Sequence, residues 1–110
     1  MKWISLESQD QLQTIKLSAD ASVIFKHSSR CSISSMAKRK FELDWEAIPE
    51  DTHLYFLDLI KYREISNAVA NMFNVHHESP QLLLIKNGEC IYETSHGEIS
   101  AEETAEQLAG

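Results

Sequence analysis

The sequence predicts an α/β fold in the order β-α-β-α-β-α-β-β-α, with one mixed central sheet and helices on both faces. Three observations carry this. Short apolar runs alternate with stretches whose apolar residues recur at helical spacing, a pattern that implies parallel crossovers. Residues 54–60, Leu-Tyr-Phe-Leu-Asp-Leu-Ile, are nearly continuous in apolar side chains, as in a strand covered on both faces. Asn87-Gly88 separates the last two strand-like runs, and a tight hairpin favours that pair because both central residues need positive φ. The hairpin makes the sheet mixed. At 110 residues the chain is the size of a single domain, spanning 1–110.

Each element follows from local signals. Residues 3–6, Trp-Ile-Ser-Leu, form a short first strand. Ser8 with Gln11 three positions on is a capping box, and it opens a helix whose apolar side is Leu12 and Ile15. Residues 22–25, Ser-Val-Ile-Phe, are the second strand, and Lys26-His27-Ser28-Ser29-Arg30 leads off its end. From Cys31 the period changes: Ile33, Met36, Ala37, Phe41, Trp45 and Ile48 make an amphipathic stripe. Pro49 stops that helix, since proline biases the preceding residue away from helix. After the central strand, Ile65, Ala68, Val69, Met72 and Phe73 give a third helix. The hairpin strands are Gln81-Leu82-Leu83-Leu84-Ile85 and Cys90-Ile91-Tyr92. Ser100 with Glu103 is a second capping box, opening a closing helix that ends near Leu108.

Composition excludes several functions. The net charge of −7 argues against nucleic acid as a partner. No apolar run approaches the ~18 residues that cross a bilayer, and residues 3–7 turn polar too soon for a signal-peptide core. A cytoplasmic protein with no membrane partner is expected. Gly88, Gly97 and Gly110 assemble neither a dinucleotide fingerprint nor a P-loop. Cys31 and Cys90 are too few and too distant for a zinc ribbon or a disulfide framework, and in a reducing compartment they are free thiols.

The charge is unevenly spread. Residues 26–40 contain Lys26, Arg30, Lys38, Arg39 and Lys40 without an acid, so this stretch is +5 and the rest of the chain −12. Cys31 lies inside this basic island, at the corner between a strand and the strongest helix. A sulfur there meets unpaired amides and the positive end of the helix dipole, which favours the charged, nucleophilic form of the thiol. Ser34 stands where the redox motif Cys-x-x-Cys has its second sulfur. Its hydroxyl can donate a hydrogen bond to the Cys31 thiolate but cannot resolve a mixed disulfide, so the chemistry expected is monothiol exchange. Ser79-Pro80 opens a strand near the sheet centre. A cis bond there would present the Ser79 backbone beside the Cys31 loop, although most such bonds are trans.

Cys31-Ser32-Ile33-Ser34 after a β-α-β start, Ser79-Pro80 before the hairpin and Asn87-Gly88 within it resemble a thioredoxin-like fold. More narrowly, Phe25-Lys26-His27-Ser28 and Val75-His76-His77-Glu78-Ser79-Pro80-Gln81 resemble the monothiol bacilliredoxins, and the likeness spans nearly the whole chain. The resemblance implies a cis Pro80 and removal of bacillithiol from protein mixed disulfides. It further implies catalytic Cys31 and Ser34, with Ser79 and Pro80 aligning the incoming disulfide. The partners would be bacillithiol-modified client proteins and the low-molecular-weight thiol itself, which acts as co-substrate; no resident cofactor is expected. The family motif usually reads Thr-Cys-Pro-Ile-Ser, whereas here Arg30 and Ser32 flank the cysteine. Serine for proline frees one more amide near the sulfur and loosens the helix start, which bears on the redox potential.

Bacillithiol carries the carboxylates of a malate, and Lys26, Arg30 and His77 are the candidate partners for them. Lys38, Arg39 and Lys40 fit a solvated helix face. His76-His77-Glu78 does not read as a metal site, because adjacent histidines diverge on an extended chain and no third ligand has a matching spacing. Asp58 fits a strand-end carboxylate, and Cys90 a small, inert core residue. Two rivals share the fold: an iron–sulfur carrier of the monothiol glutaredoxin kind, and a non-catalytic adaptor.

Overall fold

The alternation of strands and helices is realised element for element in a computed structural model that describes all residues, 1–110. In chain order the elements are β1 (Ile4–Ser5), α1 (Gln9–Leu17), β2 (Ser22–His27), α2 (Ser32–Asp44), β3 (His53–Asp58), α3 (Arg63–Phe73), β4 (Gln81–Lys86), β5 (Glu89–Ser95) and α4 (Ala101–Ala109). The sheet order is β1-β3-β2-β4-β5. β1, β3 and β2 run parallel, and β4 and β5 are antiparallel to their neighbours. β2 is therefore central, and its C-terminal end delivers the chain to α2.

Strand alternation divides the core into two layers. On one face Ile24, Leu57, Leu83 and Ile85 pack under Leu12 and Ile15 of α1 and Ile65, Val69 and Phe73 of α3. On the other, Val23, Phe25, Leu82 and Leu84 pack under Ala37 and Phe41 of α2 and Ala101 of α4. Trp3 closes the second layer, its ring 5.6 Å from Phe41, 5.7 Å from Phe25 and 5.4 Å from Trp45. No helix is long and apolar enough to cross a membrane.

The local signals act as expected at most element ends. Ser8 and Gln11 form the reciprocal capping box, whereas the expected box at Ser100 is half made: Ser100 Oγ accepts from the Glu103 amide, but the Glu103 carboxylate turns to Gln107 Nε2. The structure differs from the sequence reading in several places. The third strand ends at Asp58, with Leu59 and Ile60 already in a turn, and the last strand runs Glu89–Ser95. β2 runs two residues further, through Lys26 and His27, because β3 continues to pair with it as far as Asp58. α2 tightens into a 3₁₀ turn over Trp45–Ala47 before Pro49. Ile33 and Met36, the first members of the α2 stripe, are 53% and 71% exposed, because the buried row of that helix runs through Ser34, Ala37 and Phe41 and leaves both to one side.

In the hairpin Leu84 pairs with Tyr92 and Ile85 with Cys90, which leaves Ile91 as a bulge residue. The bulge sends Cys90 to the α1/α3 layer and Tyr92 to the α2/α4 layer, although they stand two apart. Asn87 and Gly88 have φ of 52° and 75°, the pair of positive values the turn requires. Gly88 also meets α1: a Cβ there would lie 2.4 Å from the Lys16 carbonyl oxygen, while Lys16 Nζ donates to the Gly88 carbonyl at 2.8 Å. Gly88→Ala is therefore expected to cost roughly 1–3 kcal/mol. Gly97→Ala, with nothing within 4 Å of its added Cβ, serves as control and stays within about 0.5 kcal/mol of the parent. Chemical denaturation of both variants checks this, and equal midpoints would refute it.

Candidate functional site

Cys31 is the N-cap of α2, with extended φ and ψ of −117° and 117°. Its amide donates to the Ser28 carbonyl at 3.1 Å, closing a tight turn off β2. Its carbonyl accepts from the Ser34 amide at 3.1 Å and the Ser35 amide at 3.3 Å, which starts the helix. The thiol is partly exposed, and the first turn of α2 carries no acid. By helix geometry the Ser32 and Ile33 amides have no acceptor within the helix, so the sulfur sits at a helix end that favours negative charge.

The Ser34 hydroxyl does not cap that sulfur. Ser34 is fully buried, and its Oγ accepts from the Ser28 amide at 3.1 Å and lies 2.8 Å from His27 Nδ1. It ties the Ser28–Cys31 turn to the first turn of α2 and supports the cysteine from beneath. His27, which the sequence reading passed over as a site residue, is the third member of this group. It ends β2 opposite Asp58, with its ring 5.1 Å from Phe56. Burial, and then Lys38, hold its imidazole below the usual histidine range, with Asp58 opposing. The available signal was strand parity: His27 shares the parity of Phe25 and so faces α2.

Lys26 has the opposite parity and faces α3. It is fully buried, with Nζ donating to the Ser66 carbonyl at 3.2 Å and lying 3.1 Å from His77 Nδ1. The sequence placed Lys26 beside an exposed ligand, whereas the structure encloses it. Burial lowers its pKa from 10.5 to about 8. In the unfolded chain this lysine keeps its proton to the ordinary value, so the unfolded state binds more protons between about 8 and 10.5. The parent is expected to gain stability relative to Lys26→Met as pH rises through that window. Urea unfolding of both proteins at about pH 7 and about pH 9.5 checks this, and a constant difference would refute it.

Gln81 pairs with Lys26 across the β2–β4 ladder, and its buried side chain braces the loop before β4. Its Nε2 donates to the His76 carbonyl at 2.9 Å, and its Oε1 accepts from the Glu78 amide at 3.4 Å. In that loop the Ser79–Pro80 peptide is cis, and the Ser79 hydroxyl is enclosed without a partner. Extending the antiparallel register beyond Lys26↔Gln81 sets Pro80 across from His27 and Ser79 across from Ser28. The Ser79–Pro80 pair and the Cys31 turn thus share the end of the sheet where β2 meets α2.

The remaining candidates are placed as follows. Arg30 is exposed next to Cys31. Lys38 is bound to Glu42 at 2.8 Å, and Arg39 and Lys40 lie on the exposed side of α2. His76 Nε2 and His96 Nε2 each lie 3.7 Å from a Glu78 oxygen, while His77 turns to Lys26. No three His, Cys, Asp or Glu side chains converge to hold a metal. Asp58 Oδ1 accepts from the amides of Ile60 and Lys61, capping the turn after β3. Cys90 is half-buried at the far end of the hairpin, its Sγ 3.3 Å from the Tyr92 carbonyl, and burial raises its pKa.

Comparison with known proteins agrees with this fold. A solved thioredoxin-fold protein presented as a candidate oxidoreductase is 33% identical, with a TM-score of 0.82 over 96% of this chain and 92% of its own. Two thioredoxins share the fold at lower identity. That of Malassezia sympodialis is 19% identical with TM-score 0.70, covering 98% of this chain and 87% of its own. That of Trypanosoma brucei brucei is 12% identical with TM-score 0.76, covering 98% and 88%. The family model for the monothiol bacilliredoxin BrxC matches residues 4–104. That match spans Cys31, Ser34 and the Ser79–Pro80 loop, and the chain belongs to the monothiol bacilliredoxin family, with a thioredoxin-like fold that supports thiol redox chemistry.

Proposed function

We propose that the protein removes bacillithiol from client proteins by monothiol exchange at Cys31. The Cys31 thiolate attacks the bacillithiol sulfur of a client mixed disulfide. A new disulfide forms between Cys31 and bacillithiol, the original S–S bond breaks, and the client cysteine leaves as a thiolate that takes a proton from water. A second bacillithiol thiolate then attacks the adduct sulfur, which regenerates Cys31 and releases oxidised bacillithiol. A separate reductase is the alternative second step.

The observation that carries this reading is a helix-capping cysteine without a resolving thiol. Position 34 is a buried serine, and Cys90 lies in the register row of Ser22, at the opposite end of β2 from Cys31. At ~3.3 Å per residue the two cysteines are about 20 Å apart, well beyond disulfide reach. The adduct therefore waits for an external thiol. Arg30 and the outer edge of His77 are the groups available to the bacillithiol carboxylates, and the Ser79 backbone to the incoming disulfide. The cytoplasm is the compartment that suits this exchange, since it is reducing.

Intact-mass spectrometry tests the proposal. Reduced protein is mixed with a bacillithiol-modified client and, in parallel, with a glutathione-modified one. Transfer of bacillithiol alone onto Cys31 is the expected result. Equal transfer of both overturns the selectivity, and no adduct from either overturns the exchange itself.

A further inference from the structure

Lys26 is a buried cation that the exchange does not use, and its surroundings constrain a residue that the exchange does. No carboxylate lies within ion-pair distance of it; its two partners are the Ser66 carbonyl of α3 and His77 Nδ1. An ammonium group has only donors, so both partners must accept. A ring nitrogen accepts only when it carries no proton, and the single proton of a neutral imidazole then sits on Nε2. That atom makes no hydrogen bond within the protein and is not enclosed, on a side chain that is otherwise half-buried. The ring stays neutral, because burial, Lys26 and Arg63 together lower its pKa against the opposing pull of Glu78.

We propose that Lys26 is a positioning residue that fixes His77 as its Nε2–H tautomer, so that His77 meets the small thiol as a hydrogen-bond donor. The inference rests on the functional reading above. The ligand chemistry it selects is an oxygen acceptor, a carboxylate or amide oxygen of the thiol moiety, rather than a donor or a metal ion. Lys26 and the neighbouring Gln81 set the geometry: one holds the His77 ring and the other the backbone of residues 76 and 78, so the donor is aimed before the substrate arrives.

Long-range proton–nitrogen NMR of the histidine rings tests the tautomer in the reduced full-length chain, with no substrate present. The expected spectrum has His77 Nε2 protonated and Nδ1 bare near neutral pH. A protonated Nδ1 overturns the proposal and leaves the exchange reading standing. In Lys26→Met the His77 pattern is expected to shift towards a mixture of tautomers; an unchanged pattern overturns the role of Lys26. The substrate side is read by kinetics on a bacillithiol-modified client. Lys26→Met should raise KM roughly five- to tenfold with kcat within about twofold, the loss of one oriented hydrogen bond. An unchanged KM overturns the substrate-facing role. In a His77→Gln background, whose amide supplies a donor without Lys26, the same Lys26→Met change should alter KM less than about twofold. Failure of the exchange reading is separately visible, because it would leave Cys31 without any adduct in the mass experiment.

Discussion

Cys31→Ser is expected to abolish transfer of bacillithiol, while Cys90→Ser exchanges within about twofold of the parent. The asymmetry comes from where each sulfur sits. Cys31 caps α2, partly exposed, at a helix end that favours an anion. A serine hydroxyl there carries no appreciable negative charge at neutral pH and cannot form the disulfide intermediate. Cys90 is half-buried against the α1/α3 core layer, with burial raising its pKa, so little of it is thiolate. A hydroxyl at position 90 keeps the donor to the Tyr92 carbonyl now made by the thiol. Adduct masses after reaction with a bacillithiol-modified client provide the readout. Peptide mapping after brief alkylation adds a second one, in which Cys31 should be labelled well before Cys90. Transfer that survives Cys31→Ser and fails in Cys90→Ser would move the site to the hairpin.

Phe41→Ala is expected to cost about 3–5 kcal/mol, the largest stability loss among single substitutions on α2. Phe41 is fully buried, and its ring lies 5.6 Å from Trp3 and 6.1 Å from Phe25. Through these contacts α2 is joined both to the central strand and to the segment beside the two-residue strand β1. A domain of this size has about 5–15 kcal/mol in total, so the melting midpoint should fall by roughly 15–30 °C. Leu43, on the same helix but 78% exposed, supplies the control, and Leu43→Ala should stay within about 0.5 kcal/mol of the parent. Thermal denaturation followed by circular dichroism decides between them. A Phe41→Ala loss below about 1 kcal/mol would mean that the cavity collapses and that the aromatic cluster does not hold α2 in place.

Much of the site was legible without coordinates because its signals are local. The Ser8–Gln11 box, the Asn87–Gly88 turn and the change of period at Cys31 each operate over a few residues, and each sits where the sequence placed it. The position of Cys31 at a helix start follows from that change of period alone. The stripe on α2 was legible as a helix but not as a core. Ile33 and Met36 belong to the same apolar pattern as Phe41, yet the row that packs on the sheet is Ser34, Ala37 and Phe41, and the two face outward beside His96, Gly97 and Ile99. Periodicity reports which face a residue is on, not whether anything covers that face.

The chemistry at Lys26 and Ser34 was decided by tertiary structure. Proximity in sequence grouped Lys26 with Arg30 and Cys31 as a surface cation. Strand parity turns it to the other side of the sheet, where its partners come from segments 40 and 51 residues away. A lysine can be enclosed only where acceptors are delivered to its ammonium group, and no local pattern records their arrival. Ser34 was rightly placed one turn below the cysteine, but its hydroxyl is drawn to the Ser28 amide and His27 because the end of β2 presents both at hydrogen-bond distance. The order of elements, the turn that closes the hairpin and the cysteine that begins α2 can be read along the chain, since they depend on short-range backbone preferences. Which polar groups are buried and what they bond to is set when the segments pack, because burial is a property of the segments that meet and not of the residue that is covered.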